Sequence, residues 1–293
     1  MSQLQRSRLE YRVRWKPAGT QPGATGGVQA GNGDRLRALV QLRDYPDPRR
    51  IDMRASIRDP LERLWVRDFH LNTSIKVIML ADLSASMGYV GQVSRMEVVH
   101  DIASHLALAA WRSGDAFGLY GANEAPMKKA WLPPKVNRGA WLWLQKEFRH
   151  IKPHGKSAAG LMDWVPQLPH RRTLVCIVSD FRWPAGQLAS LLRALAHHDV
   201  LPIVLQDHAE VDALPEKGFG ILRDSETGST QFVWMRPGLI KAVRTTREQH
   251  WHNIVNTCRL TGCKPFLVRG AFNPTALTCH FWERSASCFA RSS

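Results

Sequence analysis

The chain has 293 residues, of which 44% are hydrophobic and 22% charged, which suits one large domain or two small ones with a sizeable core. This composition excludes a disordered chain, a collagen and a coiled coil as descriptions of the whole protein. The 40 Lys and Arg residues against 25 Asp and Glu give a net charge of +15, which favours polyanions, acidic proteins or anionic membranes as partners.

Targeting and redox features favour a cytoplasmic protein. No run of roughly 18 apolar residues is present, so we expect no membrane insertion. Residues 1–6 carry charge but no apolar segment, which argues against a secretory signal. The five cysteines are an odd number, which favours reduced thiols over a disulfide framework.

Two segments precede the main domain. Residues 1–34 form a basic N-terminal segment, in which the alternation over 9–15 predicts a short strand and the Gly-rich stretch 17–34 predicts a flexible connector. Residues 35–73 form an upstream segment that we expect to pack on the domain. Within it, the charged stretch 42–56 allows two interpretations, a solvated loop or a segment packed against the domain through arginine–carboxylate pairs.

The main domain is predicted over residues 74–270, where short apolar runs alternate with amphipathic patterns, and 271–293 is predicted to be a C-terminal tail. In chain order the predicted elements are strand 75–81, helix 94–112, strands 115–121 and 126–132, helices 136–149 and 158–168, strand 174–180, helix 185–198, strand 200–205, hairpin strands 219–222 and 230–234, helix 237–260 and strand 264–268. This alternation indicates an α/β fold with a mostly parallel sheet flanked by helices, with an extra β-hairpin.

Two buried strands end in a carboxylate, one at Asp82 and the other at Asp180. Ligands of such sheets bind beyond the carboxyl ends of the strands. Asp82 begins a D-x-S-x-S pattern with Ser84 and Ser86, which places one carboxylate and two hydroxyls on the turn that leaves the strand. These are hard oxygen donors, the ligand type that suits Mg²⁺, Mn²⁺ or Ca²⁺ better than zinc.

This pattern resembles the metal-ion-dependent adhesion site of von Willebrand factor A domains. The segment 45–56, with its Arg-Arg-Ile-Asp element, and the motif Ser-Asp-Phe at 179–181 extend the resemblance to the MoxR-associated von Willebrand factor A-like family, a family of unknown function. The resemblance covers roughly residues 35–270.

The resemblance implies a divalent-metal site and assigns its ligands. Asp82, Ser84 and Ser86 match the first metal loop, and Asp180 matches the third. The second loop normally supplies a threonine after glycine, and here Ser157 stands in that place. A divalent cation, Mg²⁺ first and Mn²⁺ or Ca²⁺ as alternatives, would keep one coordination position open for an acidic side chain of a partner.

The resemblance also implies a non-enzymatic role. The expected partners are a MoxR-type AAA+ ATPase and an acidic client protein, and the expected process is assembly or maturation of that client. The short form, which lacks the membrane helices of many members, also resembles proteins associated with bacterial methanol oxidation. For such a protein the implied task is metal loading of methanol dehydrogenase.

Competing interpretations come from other classes of protein. A nucleic-acid-binding protein would explain the charge of +15, but the basic residues form no stripe and no recognition motif accompanies them. A metal-dependent hydrolase could use Asp82 and Asp180, but the sequence offers no base with a defined position. A structural interpretation makes Ser84 and Ser86 mere helix-capping residues. The cysteines do not follow a zinc-site spacing and are expected to be free thiols.

Overall fold

The computed structural model of the chain describes residues 8–15, 17, 22–207, 218–223, 230–235 and 237–289. These residues belong to two compact units. The sheet unit comprises the described residues of 1–14, 76–112 and 116–293, and the upstream unit comprises those of 15–75 together with 113–115.

The sheet unit contains a six-stranded sheet in the order β10-β7-β6-β3-β4-β5. Its strands are β3 (Lys76–Asp82), β4 (Ala116–Ala122), β5 (Pro126–Lys135), β6 (Leu174–Ser179), β7 (Asp199–Gln206) and β10 (Phe266–Arg269). All neighbouring pairs are parallel except β4 and β5. The predicted fold class, an α/β protein with a mostly parallel sheet flanked by helices, is confirmed. The predicted hairpin is present as the antiparallel pair β8 (Gly218–Arg223) and β9 (Thr230–Met235).

The central strands are buried because their side chains are apolar on both faces. Every residue of β4 and β6 is buried, as is every residue of β3 after Lys76. Such strands pack between helices, as parallel strands usually do. The helices of this unit are α2 (Arg95–Arg112), α3 (Gly139–Lys146), α4 (Gly160–Asp163), α5 (Gln187–Ala194), α6 (Pro237–Leu260) and α7 (Pro274–Phe289).

Three predictions for the sheet unit differ from the structure. The helical patterns over 136–149 and 158–168 contain shorter helices, α3 and α4, each followed by a 3-10 turn. Residues 9–15 form no strand; they are anchored instead by buried Leu9 and by hydrogen bonds of Arg14. The predicted C-terminal tail contains α7, whose Leu277 and Phe281 are fully buried.

The upstream unit is built on an antiparallel pair, β1 (Pro22–Gln41) and β2 (Trp65–Thr73). The Gly-rich stretch that predicted a flexible connector is therefore largely part of β1. Its pairing with β2 contains several register shifts, and glycine tolerates the backbone conformations of such bulges.

Arginine–carboxylate pairs occur in the charged stretch of the upstream unit. Asp52 caps the short helix α1 (Met53–Ile57) by accepting hydrogen bonds from two backbone amides. The other carboxylate oxygen of Asp52 accepts a 2.9 Å hydrogen bond from Arg67 Nε. Arg67 therefore holds the pKa of Asp52 below its usual value. Arg50 pairs with Asp47 in the same way, at 3.2 Å.

Candidate metal centre

The first loop of the candidate site leaves the sheet at the carboxyl end of β3. Asp82 is the last residue of the strand, and Ser84 precedes a 3-10 turn over Ala85–Gly88. The Ser84 side chain makes no capping hydrogen bond to this turn. Its hydroxyl instead lies 3.2 Å from the Ser86 hydroxyl, and both serines are buried. Helix capping therefore does not explain the Ser84 side chain.

Asp82 is fully buried and lies among hydrogen-bond donors. One carboxylate oxygen accepts from Ser84 N at 2.9 Å, and the other accepts from Ser179 Oγ at 2.6 Å and from Trp183 Nε1 at 3.0 Å. Burial raises the pKa of Asp82 above its usual value, and the negative charge of Asp180 raises it further. The hydrogen bonds from Ser179 and Ser84 act in the opposite direction. A cation beside the two carboxylates would favour their ionised forms.

Asp180 follows β6, the strand that pairs with β3, so both carboxylates lie at the same edge of the sheet. It is 2% exposed and forms an ion pair with Arg95, whose Nη1 donates to Asp180 Oδ2 at 2.8 Å. The same Nη1 donates to the Ser86 carbonyl at 2.7 Å. Arg95, the first residue of α2, therefore links the first and third loops.

The backbone beyond Asp180 is strained. Phe181 has a φ of 54°, in the left-handed region that non-glycine residues rarely adopt, at a cost of order 1–2 kcal/mol. Three contacts hold this conformation: the Phe181 amide donates to Ser179 Oγ at 2.8 Å, the ring packs on Trp183 with centroids 4.8 Å apart, and His250 Nε2 lies 3.2 Å from the Asp180 carbonyl. The strained turn keeps Trp183 directed at Asp82.

Ser157 lies on a loop whose backbone is attached to the first loop. Ala85 N donates to the Gly155 carbonyl at 2.9 Å, and His154 N donates to the Leu83 carbonyl at 2.9 Å. Ser157 itself is half-buried, and its hydroxyl accepts only a long 3.5 Å hydrogen bond from Ala159 N. The described hydrogen bonds connect Asp82, Ser84, Ser86 and Asp180 through shared partners, but they do not connect Ser157 Oγ to them.

Sequence reasoning missed three side chains that complete this cluster: Arg95, Ser179 and Trp183. Arg95 carried a signal, because a cation at the first position of a helix opposes the helix dipole and needs a specific partner. Ser179 appeared only as part of the Ser-Asp-Phe motif. Trp183 stood in no pattern, and its contact with Asp82 depends on the strained turn at Phe181.

The donors fit a hard divalent cation. Two carboxylates and a pair of adjacent hydroxyls supply oxygen only, and Mg²⁺ commonly completes such a set with water. Within the described residues, no three His, Cys, Asp or Glu side chains come together as a metal cluster, so any ion here would depend on the serines and solvent. Two of the described thiols are poor metal ligands: Cys176 and Cys258 are buried and free, and burial raises the pKa of each to about 12.

Fold and site together define an α/β domain with an oxygen-rich, doubly acidic cluster at the carboxyl edge of a mostly parallel sheet. The chain belongs to the family described as "Protein of unknown function DUF58", whose model matches residues 42–251. The family resemblance inferred from the motifs is thereby confirmed.

Relatives of the chain are uncharacterised proteins. The Mycobacterium tuberculosis protein Rv1480 is 25% identical over 265 residues, covering 87% of this chain and 80% of the relative. A Paracoccus denitrificans protein named for its place in the moxR 3′ region is 39% identical over 70 residues, which are 24% of this chain and 67% of that protein.

Solved structures with a similar fold include BatB from Bacteroides thetaiotaomicron, with 14% identity, a TM-score of 0.47 and coverage of 73% of this chain and 100% of that one. The VWA domain of SpRpn10 has 12% identity, a TM-score of 0.38 and coverage of 71% and 94%. Among the residues described for this chain, no helix combines the length and hydropathy that crossing a membrane requires.

Proposed function

We propose that the protein is a divalent-cation-dependent, non-enzymatic interaction module that works in the cytoplasm with a MoxR-type AAA+ ATPase in the maturation of a client protein. The observation that carries the proposal is the pairing of Asp82 and Asp180 at one sheet edge beside the Ser84–Ser86 hydroxyl pair. The Paracoccus relative, named for the moxR 3′ region, supports the choice of ATPase. Metal loading of methanol dehydrogenase is the specific task that we propose for the pair.

The residues that would hold the ion are Asp82, Ser84, Ser86, Asp180 and, from the second loop, Ser157. A bound divalent ion supplies a Lewis acid that binds a carboxylate oxygen. The chain's own residues orient the donors: Ser179 and Trp183 fix the Asp82 carboxylate by hydrogen bonds. An acidic side chain of the partner would then complete the coordination.

The hydrogen bonds that the two carboxylates accept favour a binding protein over a hydrolase. Both carboxylates are engaged by donors, Asp82 by Ser179 and Trp183 and Asp180 by Arg95, rather than held ready to accept a proton from water. His250 directs Nε2 at the Asp180 carbonyl, so this nitrogen is also engaged. A general base needs an atom within hydrogen-bond reach of the proton it removes.

The test is ion binding by the purified protein together with capture of a purified MoxR-type ATPase. We expect Mg²⁺ or Mn²⁺ to raise the melting temperature of the wild type and to be required for capture, because the ion relieves the repulsion between the two carboxylates. Asp82→Ala should remove both effects, while the control Asp101→Asn, at an exposed position of α2, should retain them.

Absence of any ion-dependent shift, or capture that survives Asp82→Ala, would contradict the proposal. DNA binding that falls steeply with salt and is unaffected by Asp82→Ala would instead support a nucleic-acid-binding protein. Phosphatase or peptidase turnover lost in Asp180→Asn would support a hydrolase.

A further inference from the structure

The metal site proposed above already contains a buried cation, the Arg95 guanidinium. Arg95 is 4% exposed, and its Nη1 donates both to Asp180 Oδ2 at 2.8 Å and to the Ser86 carbonyl at 2.7 Å. The guanidinium also lies over the Tyr89 ring, 5.1 Å from its centroid. Two of the proposed ligand residues, Ser86 and Asp180, are therefore held by one arginine.

This placement needs an explanation beyond helix packing. Arg95 begins α2, where the helix dipole disfavours a positive charge. Burying a guanidinium also carries a desolvation cost that only a well-formed ion pair offsets. Arg95 carries both costs, and its contacts with Ser86, Asp180 and Tyr89 help to offset them.

Charge in the cluster is only partly balanced by Arg95. Asp82 and Asp180 supply two carboxylates. The buried cation Arg95 pairs with Asp180 at 2.8 Å, and Arg182 lies 4.0 Å from the same oxygen. Asp82 is bonded by the neutral donors Ser179 and Trp183. A divalent ion at the site would meet one carboxylate that is already paired and would be repelled by the guanidinium beside it.

We propose that Arg95 sets the ion affinity of the site: it joins the first and third loops in the ion-free protein and weakens divalent-cation binding until a partner supplies a further carboxylate. This inference rests on the proposed function, because it requires that a divalent ion binds at all. Its consequence is positive coupling: ion and acidic partner bind more tightly together than either binds alone.

The experiment measures the Mn²⁺ dissociation constant of full-length variants by calorimetry and by electron paramagnetic resonance. Arg95→Gln removes the charge and keeps a shorter polar side chain, and we expect it to bind Mn²⁺ at least about tenfold more tightly. Without Mn²⁺ its melting temperature should be below that of the wild type. The matched control Arg95→Lys keeps the charge, and its affinity should stay within about threefold of the wild type.

Suppose that the wild type binds Mn²⁺ and that folded Arg95→Gln binds it no more tightly. This result would overturn the inference and leave the proposed function standing. If the wild type and both variants fold but bind no Mn²⁺, the proposed function fails and the inference fails with it. If Arg95→Gln does not fold, Arg182→Gln replaces it, because Arg182 Nε lies 4.0 Å from the same Asp180 oxygen at a half-exposed position. Its Mn²⁺ affinity should rise by about two- to fivefold, and an unchanged affinity would overturn the inference.

Discussion

At the residue scale, the candidate centre consists of two buried acids that share one buried arginine. Burial and the Asp180 charge raise the pKa of Asp82, so ionised Asp82 destabilises the ion-free fold at neutral pH. Functional sites commonly carry such a cost, and the strained Phe181 adjoining Asp180 is a second instance. Both features fit a site whose stable form includes a bound ion.

His280 on α7, outside the candidate centre, also has a shifted pKa, and we expect it to make the fold sensitive to acid. It is 8% exposed, and burial lowers its pKa to about 4, against 6.5 for an unperturbed histidine. As the pH falls below 6.5 the unfolded chain takes up a proton that the folded protein does not, so stability present at neutral pH is lost. We expect the wild type to lose about 2 kcal/mol from this group between about pH 7 and about pH 5.

Urea unfolding of His280→Gln at both pH values tests this expectation. Glutamine cannot take up the proton but can still donate to the Lys264 carbonyl, which lies 3.2 Å from His280 Nε2. Between the two pH values, the free energy of unfolding of the variant should fall by about 2 kcal/mol less than that of the wild type. His252→Gln, at an exposed position of α6, should behave as the wild type does. An equal acid loss in His280→Gln and the wild type would show that another group is responsible.

The acidic residues of the candidate site were predictable, because a buried apolar run that stops at an acid identifies the carboxyl edge of a sheet. Asp82 and Asp180 were found in this way, and the structure places both at that edge. The partner of Arg95 was not predictable, since its bond to Asp180 joins residues 85 positions apart and depends on where α2 begins. The local pattern marks a cation at a helix start that needs a partner, but it does not say which residue that partner is.

At the element scale, hydrophobic periodicity predicted the long and the buried elements well. The helix predicted over 237–260 is α6 with the same bounds, and the strand predicted over 75–81 is β3 displaced by one residue. The pattern failed for β1, because its glycines suppress the alternation of side chains while the backbone still pairs with β2. Pairing between backbones leaves little trace in composition.

The second loop of the site is positioned by α4, and Gly160 at the start of that helix is the residue that permits it. Gly160 N donates to the Asn123 carbonyl at 2.9 Å, and a Cβ on Gly160 would lie 2.5 Å from the Ala125 Cα, closer than real Cβ contacts. Gly160→Ala should therefore destabilise the fold by about 1–3 kcal/mol. Because the backbone must shift three residues from Ser157, Mn²⁺ affinity should also fall.

Thermal melting and Mn²⁺ titration of Gly160→Ala measure both effects. Gly238→Ala is the matched control, since a Cβ at this position near the start of α6 has no other atom within 4 Å. The substitution also replaces a flexible residue of the helix. It should raise stability by about 0.5–1 kcal/mol. A Gly160→Ala protein as stable as the wild type would show that the turn adjusts without cost.

At the scale of the whole molecule, the net charge of +15 is the excess of basic over acidic residues, and many of the acidic residues pair with arginines. In the upstream unit Arg37, Arg50 and Arg67 are each paired with an aspartate. Pairing of this kind positions side chains, and the unpaired remainder governs long-range attraction. Such an excess would speed encounter with the acidic partner proposed above, while a metal-bound carboxylate would fix the geometry of that complex.

Segments from both ends of the chain meet at one buried acid of the sheet unit, Asp199 at the start of β7. Asp199 Oδ1 accepts from Arg14 Nε at 2.6 Å and from Arg284 Nη2 at 2.7 Å, and Oδ2 accepts from Arg14 N at 3.1 Å. Asp199 is fully buried and the Arg284 side chain is 1% exposed. Asp199→Asn would leave a buried guanidinium without its counter-charge, which typically costs about 3–5 kcal/mol.

Arg14→Met is the informative comparison, because it removes only the more exposed of the two arginines, and Asp199 keeps Arg284 as its partner. Its free energy of unfolding should fall by less, about 1–2 kcal/mol, because only the hydrogen bonds of Arg14 are lost. Urea unfolding of the two variants therefore ranks the contacts, with Asp199→Asn the more destabilised. A reversed order would mean that the N-terminal segment, rather than the buried Arg284–Asp199 pair, joins the ends of the chain to the sheet.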